Sequence, residues 1–115
     1  FTAGVGRKIG RAGLSFCAAL AESAAASHGI LHPDNFFGML AGGHLNKTLV
    51  GNIIKDLPEG VSEIMTHPGL DTAALSKVFT WQYHWQEELE SYLAAENKKL
   101  LQQEKIVLTN FGGLD

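Results

Sequence analysis

The sequence contains few residues that could stabilise a fold through disulfides or ion pairs. It contains a single cysteine, Cys17, so no disulfide can form within the chain, which fits a reducing compartment such as the cytoplasm. Charged residues make up 18% of the sequence and the formal net charge is −3, which leaves no basic face for nucleic acid. The longest stretch of low charge, from Gly13 to Ile30, is too short and polar to span a bilayer. The composition therefore favours a cytoplasmic globular protein with no nucleic-acid partner and no membrane span.

The chain is also short. Its 115 residues suffice for one modest domain. It begins at Phe1, and its first ten residues resemble neither a start nor a targeting peptide. We therefore expect a single partial domain, with a helical arm that has a basic start over residues 1–32 and a region of strands and helices over residues 33–115.

Hydrophobic periodicity predicts alternating helices and strands. Apolar residues recur at helical spacing in three segments and form short strand-like runs between and after them. The main predicted elements are a helix from about Leu14 to a stop at Gly29, a helix from His44 to Leu57, a strand from Val61 to Thr66, a helix from Thr80 to Leu101 and a strand from Ile106 to Thr109. A helix followed by a strand is the unit that feeds parallel sheets, so we expect an α/β fold.

The predicted strand that begins at Val61 leads to a histidine. Alternation along the strand places Glu63 and His67 on one face, and Pro68 and Gly69 stop the strand directly afterwards. Ionisable side chains at the carboxyl ends of parallel strands are where α/β enzymes place their chemistry. His67 is therefore the candidate catalytic residue. The alternative is a turn histidine that bonds to backbone.

Two neighbouring carboxylates, Glu87 and Glu88, fall within the predicted long helix. Paired carboxylates suit general acid–base chemistry, but neighbours on a helix point about 100° apart. We therefore expect both to lie on a solvated helix face.

Two stretches of sequence resemble a known family. They are Asp34-Asn35-Phe36-Phe37-Gly38, of the form D-x-F-F-G, and the run L-P-E-G-V-S-E-I-M-T-H-P-G, which ends at Gly69. Their residues and their order resemble the C-terminal part of the YdjC-like deacetylases, which include the chitooligosaccharide deacetylases. The resemblance is closest to the hopanoid-biosynthesis-associated members of that family. The resemblance covers Pro33 to the C-terminus. It implies a metal-dependent amide hydrolase that removes an acetyl group from an N-acetylated sugar, on an irregular (β/α) barrel of the polysaccharide-deacetylase type.

The resemblance assigns roles to three residues. The late H-P-G/A motif of the family carries its candidate general acid, and this motif maps onto His67. The loop near Phe36 and Phe37 lies close to the sugar site in the family, so either ring is a candidate for stacking on a pyranose ring. Adjacent strand residues point in opposite directions, so core packing is the expected role of at least one of the pair.

The metal-binding residues of the family have no counterpart in this sequence. An early Asp-Asp pair and two later His motifs hold a divalent metal in the family, whereas this chain contains no Asp-Asp and no His-x-His. The resemblance therefore implies a metal in the complete enzyme, but we expect none to be bound by this chain alone.

The length and the missing ligands leave two hypotheses. A whole (β/α) barrel needs about 200 residues or more, so the chain fits a C-terminal piece of a longer enzyme, or a truncated gene product, with an incomplete barrel. Such a piece would expose strand edges and apolar area, which favours a homo-oligomer. The alternative is a non-catalytic α/β or mainly helical module whose apolar faces bind a partner or a second copy.

Overall fold

The computed structural model describes residues 5–114, apart from the side chains of Arg7 and Arg11. In chain order these residues form α1 (Val5–Ser27), β1 (Asn35–Phe37), α2 (Lys47–Lys55), β2 (Ser62–Ile64), α3 (Thr72–Val78), α4 (Trp85–Leu93), α5 (Ala95–Gln103) and a 3-10 turn (Phe111–Gly113). The mixture of helices with a small parallel sheet confirms the expected α/β class at that coarse level.

The sheet consists of β1 and β2, which run parallel with Phe36 opposite Glu63 and Phe37 opposite Ile64. Paired residues share a face of the sheet, so Phe37 and Ile64 lie on one side and Phe36 and Glu63 on the other. Ile64 packs against the buried core, whereas Phe36 is 50% exposed. The helices therefore cover the Phe37 and Ile64 side.

The core forms where α2 meets the sheet and the last two long helices. Its buried apolar residues are Leu45, Val50 and Ile54. The predicted helix from His44 begins later, at Lys47, because the Asn46 side chain accepts a hydrogen bond from the Leu49 N–H at 3.0 Å and caps the helix. Leu45 therefore reaches the core from the loop before the helix.

The first helix is longer than the pattern predicted. It begins at Val5 rather than near Leu14, and it ends before Gly29, which has a φ of +64°. Several of its apolar side chains, including Ile9 and Phe16, are more than half exposed. No helix within residues 5–114 is both long and apolar enough to cross a bilayer.

The predicted continuous helix from Thr80 to Leu101 is wrong. Residues 79–84 form no regular secondary structure, and the remaining segment is divided into α4 and α5 at Ala94, whose ψ is 127°. Long-range hydrogen bonds account for both breaks. The His84 N–H bonds to the Gly43 carbonyl at 2.7 Å, and the Asn97 side-chain amide donates to the Lys47 carbonyl of α2 at 3.3 Å as well as to the nearby Ser91 carbonyl at 2.9 Å. Helical periodicity carries no information about these tertiary partners.

The predicted strand from Ile106 to Thr109 is also wrong, since these residues form no strand. Lys105 ends α5 with a φ of 55°, and the Ile106 N–H bonds back to the Leu101 carbonyl at 2.9 Å. This turn brings Ile106 onto the core and leaves Val107 85% exposed. Of the apolar residues from Ile106 to Leu108, only Ile106 therefore packs against the core.

We predict that Lys105→Gly stabilises the protein. A left-handed backbone strains a side chain with a Cβ but not glycine, so the free energy of unfolding should rise by about 0.5–1 kcal/mol. Chemical denaturation measures this free energy of unfolding. Lys99→Gly, an exposed change inside α5, is the matched control and should lower the same quantity by about 1 kcal/mol. Equal losses in both variants would contradict the prediction.

Candidate functional site

The His67 side chain lies at the carboxyl end of β2, three residues beyond Ile64. Its side chain is 25% exposed, and the next turn is held by the Gly69 N–H, which bonds to the Trp85 carbonyl at 3.0 Å. The histidine is thus partly accessible at the rim of the parallel pair. This placement agrees with the position that alternation and Pro68 predicted, although position alone does not test a catalytic role.

A buried glutamate, Glu88, anchors this histidine. Its carboxylate is fully buried and accepts hydrogen bonds from the Leu45 N–H at 3.0 Å through Oε1 and from the His67 N–H at 2.6 Å through Oε2. The Thr66 hydroxyl approaches Oε2 at a longer 3.4 Å. One side chain of α4 therefore joins the loop before α2 to the end of β2.

The expectation that Glu88 faces solvent is wrong. The residue lies three positions after Trp85 and four before Tyr92, so it shares the inward face of α4 with a buried tryptophan and a half-buried tyrosine. This spacing was the available signal in the sequence. Its partners are backbone N–H groups from distant loops, which no side-chain pattern reveals. Glu87, by contrast, is exposed and pairs with His84, whose Nδ1 lies 2.9 Å from its carboxylate.

The charge of Glu88 faces the His67 ring. The distance from Glu88 Oε2 to His67 Nδ1 is 3.9 Å, which is an electrostatic contact and too long for a hydrogen bond. Nδ1 is itself buried and has no hydrogen-bond partner among the described residues. Among the described side chains, His67 is the only potential cation within 4.0 Å of this carboxylate. The backbone dipoles and the imidazole together compensate for burying the charge.

Tyr92 borders the same carboxylate. Burial raises the pKa of the Tyr92 hydroxyl, the proximity of Thr66 opposes that rise, and the negative charge of Glu88 adds to it. The hydroxyl is buried and lies outside hydrogen-bonding geometry with the described residues. Tyr92 is therefore held in its neutral form and is unsuited to act as a base.

The other side of His67 is closed by a glycine turn and an aromatic ring. A Cβ at Gly42 would lie 3.1 Å from His67 Cε1, so the turn fits closely against the imidazole. The ring centroids of His67 and Tyr83 are 4.8 Å apart in an edge-to-face arrangement. Glu88, Gly42 and Tyr83 thus restrict the orientation of the imidazole. The sequence pattern indicated none of these three contacts.

The remaining predicted site residues lie apart from this arrangement. Phe36 offers an exposed ring on the Glu63 side of the sheet, and Phe37 is partly buried on the side of Ile64.

An open cavity of about 450 Å³ lies next to His67, between the 67–71 turn, α3 and Trp85, and its walls are mainly apolar.

Together, the parallel strands, the rim histidine and its buried carboxylate define an α/β protein with a candidate acid–base site. Residues 3–103 match the model of the family described as YdjC-like protein, so the chain belongs to that family. The match begins well upstream of Pro33. The family is associated with carbohydrate deacetylase-type function. Neither the curated proteins nor the solved structures yielded a match.

The described residues do not fit the divalent metal that this family suggests. Within residues 5–114, no group of three or more His, Cys, Asp or Glu side chains is arranged to hold a metal ion. His44 and His84 have ring centroids 4.9 Å apart, yet they are edge-to-face, and the Nδ1 of His84 is engaged by Glu87. No reaction step is therefore assigned to a metal on these residues.

We predict that Glu88→Gln destabilises the fold. An amide keeps the shape, but it turns an NH₂ group toward one of the two N–H donors that now share the carboxylate. The free energy of unfolding should fall by about 1–3 kcal/mol, measured by urea denaturation. The exposed neighbour Glu87 provides the control, since Glu87→Gln should change the free energy of unfolding by less than about 0.5 kcal/mol. Similar values for both variants would contradict the anchoring role.

We predict that Tyr92→Phe makes the protein less sensitive to alkali. Because burial raises the pKa of Tyr92 in the folded state, the unfolded chain loses this proton first, and stability should fall as the pH rises above about 10. Removing the hydroxyl removes that contribution. Urea denaturation at pH 8 and above pH 10 should show a smaller decline for Tyr92→Phe than for the wild type. Tyr83→Phe, which retains Tyr92, serves as the control, and parallel declines in all three proteins would refute the assignment.

Proposed function

We propose that the chain is part of a carbohydrate N-deacetylase that hydrolyses the acetamide of an N-acetylated sugar, with His67 as the general acid. Membership of the YdjC-like family supports the reaction class. The observation that carries the assignment is the partly exposed His67 at the sheet rim, oriented by a fully buried carboxylate. A histidine that only closed a turn would not require this arrangement around its ring.

The chemistry needs a proton at one specific atom. Attack of water on the acetamide carbonyl forms a new C–O bond, but the C–N bond breaks readily only when the amine is protonated as it leaves. An imidazolium supplies that proton near neutral pH. His67 Nδ1 faces Glu88, so Nε2 is the nitrogen directed to a substrate. The proton therefore passes from Nε2 to the departing amine.

The wider architecture is part of the same proposal. The parallel pair with a crossover helix supports the C-terminal part of an irregular (β/α) barrel of the polysaccharide-deacetylase type, in which residues 33–115 form the region of strands and helices and residues 1–32 form a helical arm. The complete enzyme would be cytoplasmic, take its divalent metal from ligands outside this chain, and resemble the hopanoid-associated members. The exposed apolar side chains of α1 and Val107 support further packing, within a longer chain or in a homo-oligomer.

Phe36 remains a candidate sugar contact. Its ring is 50% exposed, so a face is accessible for stacking on a pyranose ring. Phe37 shares the side of the sheet that faces the core, which supports packing as its main role. Phe36 is therefore the candidate for sugar contact and Phe37 the candidate for core packing, because adjacent strand residues point in opposite directions.

A non-catalytic interaction module is the second candidate function. The exposed apolar side chains of α1, among them Ile9, Phe16 and Leu20, favour it, since such a surface is typical of a binding face. Release of acetate from an N-acetylated sugar would distinguish the enzyme from the module.

We predict that His67→Ala lowers the turnover of the complete enzyme, in which this chain is joined to the metal-binding motifs of the family. General acid–base groups contribute about 10²–10⁴-fold, so kcat should fall by that range, while metal content and KM change little. Acetate release from an N-acetylated oligosaccharide measures the rate. His28→Ala, an exposed histidine after α1, is the control and should retain full activity. An unchanged kcat for His67→Ala would return His67 to the role of a turn residue.

A further inference from the structure

We propose that α1 is an interface between two copies of this chain, whose α1 helices pair side by side and antiparallel. The partner that covers this exposed helix is thus a second copy, rather than a different protein or a distant part of a longer chain. The interface is independent of the deacetylase assignment, because no residue of α1 belongs to the candidate site.

The helix α1 stands apart from the core. The elements that pack closely on one another are the two strands, and α2 with α4 and α5, whereas α1 is not among them. Apart from Ala25, every residue of α1 whose exposure is described is exposed. Glycines weaken the helix, since Gly10 and Gly13 each cost about 1 kcal/mol relative to alanine. Helices in water owe most of their stability to a packed face, so we expect another surface to cover α1.

The bulky apolar side chains of α1 form one stripe. Four of them lie within about 60° of one another around the helix axis. They are Val5, Ile9, Phe16 and Leu20, each more than half exposed. Val5 precedes Ile9 by four positions and Phe16 follows Ile9 by seven, which is the spacing of helices that pack side by side. The stripe therefore suits a second helix of the same kind.

The charges of α1 are divided between its two ends. The basic residues Arg7, Lys8 and Arg11 all precede Gly13, and the acidic residue Glu22 follows it. Lys8 and Glu22 are exposed, and neither forms an ion pair with another described side chain. Two heptads separate them, so they return to within about 40° of each other on one flank of the apolar stripe.

Only an antiparallel pair makes this distribution self-complementary. With a two-fold axis at Ser15, midway between the two charges, each Lys8 lies opposite Glu22 of the second copy, and the contact occurs twice. A parallel pair would instead place basic end beside basic end. Opposed charges along paired helices set their orientation, so the charge pattern selects the antiparallel dimer.

Sedimentation equilibrium of the 115-residue chain should show a dimer. Lys8→Glu or Glu22→Lys alone should raise the dimer dissociation constant about tenfold, because two attractions become two repulsions. The double variant should restore the wild-type constant to within about threefold. Both reversals complement the helix macrodipole, so neither weakens α1 itself. Lys98→Glu is the control, since it makes the same change in charge at an exposed position of α5 and should leave the constant unchanged.

A spin label near the end of α1 measures the orientation of the pair. Cys17 is the single cysteine, so Cys17→Ser combined with Ala26→Cys carries one label per chain. In an antiparallel pair the two labels lie about 30 Å apart along the helix axes, at about 1.5 Å per residue. A parallel pair would bring them to about 10 Å. Double electron–electron resonance distinguishes these distances.

Four results would overturn the antiparallel interface. They are a chain that stays monomeric up to submillimolar concentration, a dimer that neither reversal weakens, an affinity that the double variant does not restore, and a label separation of about 10 Å. A monomer would point instead to a longer chain or a different protein as the cover of α1. None of these results depends on acetate release in the complete enzyme, so the interface and the deacetylase stand or fall separately.

Discussion

The arrangement of the candidate site depends on one buried carboxylate. Glu88 has no exposed surface, yet it accepts the N–H groups of Leu45 and His67, which are far apart in sequence. A buried charge is tolerated only where donors compensate for its lost hydration, so the two loops must remain where their N–H groups meet it. The carboxylate therefore positions the glycine turn, the end of β2 and the start of α4 relative to one another. The imidazole at their junction takes its orientation from the same group.

This constraint also explains why the segment before α4 is not helical. Trp85 and Glu88 must face inward together, and the Gly43 carbonyl takes the His84 N–H, so a helix that continued upstream would lose this tertiary hydrogen bond. In this segment the Phe79 and Trp81 rings lie 5.1 Å apart, the Trp81 and Tyr83 rings 5.5 Å apart, and the Tyr83 ring lies 4.8 Å from the His67 ring. The same region of the fold thus places both Glu88 and the Tyr83 ring beside His67.

Family membership and the geometry around His67 both support the proposed deacetylase, but together they account for only part of its reaction. The YdjC-like match connects the chain with carbohydrate deacetylase-type chemistry. In the proposed function, the rim histidine is the proton donor that amide cleavage requires. The described side chains do not assemble a metal centre. Under the proposed function, this chain contributes an acid, His67, and the groups that position it.

The local features of this protein could be predicted from its amino-acid pattern. The stripe of apolar residues predicted α2, and the apolar run before Pro68 predicted β2, although the strand covers Ser62–Ile64 rather than Val61–Thr66. These features depend on spacing and short-range hydrogen bonds, which a sequence displays directly. Only the tertiary structure decided that Glu88 is buried, that the helix breaks around residues 79–84 and at Ala94, and that Ile106 belongs to a helix-ending turn rather than a strand. Each of those outcomes rests on a tertiary contact. The contacts are the N–H groups whose hydrogen bonds Glu88 accepts, the bonds of His84 to Gly43 and of Asn97 to Lys47, and the packing of Ile106. Hydrophobic periodicity contains no information about such partners.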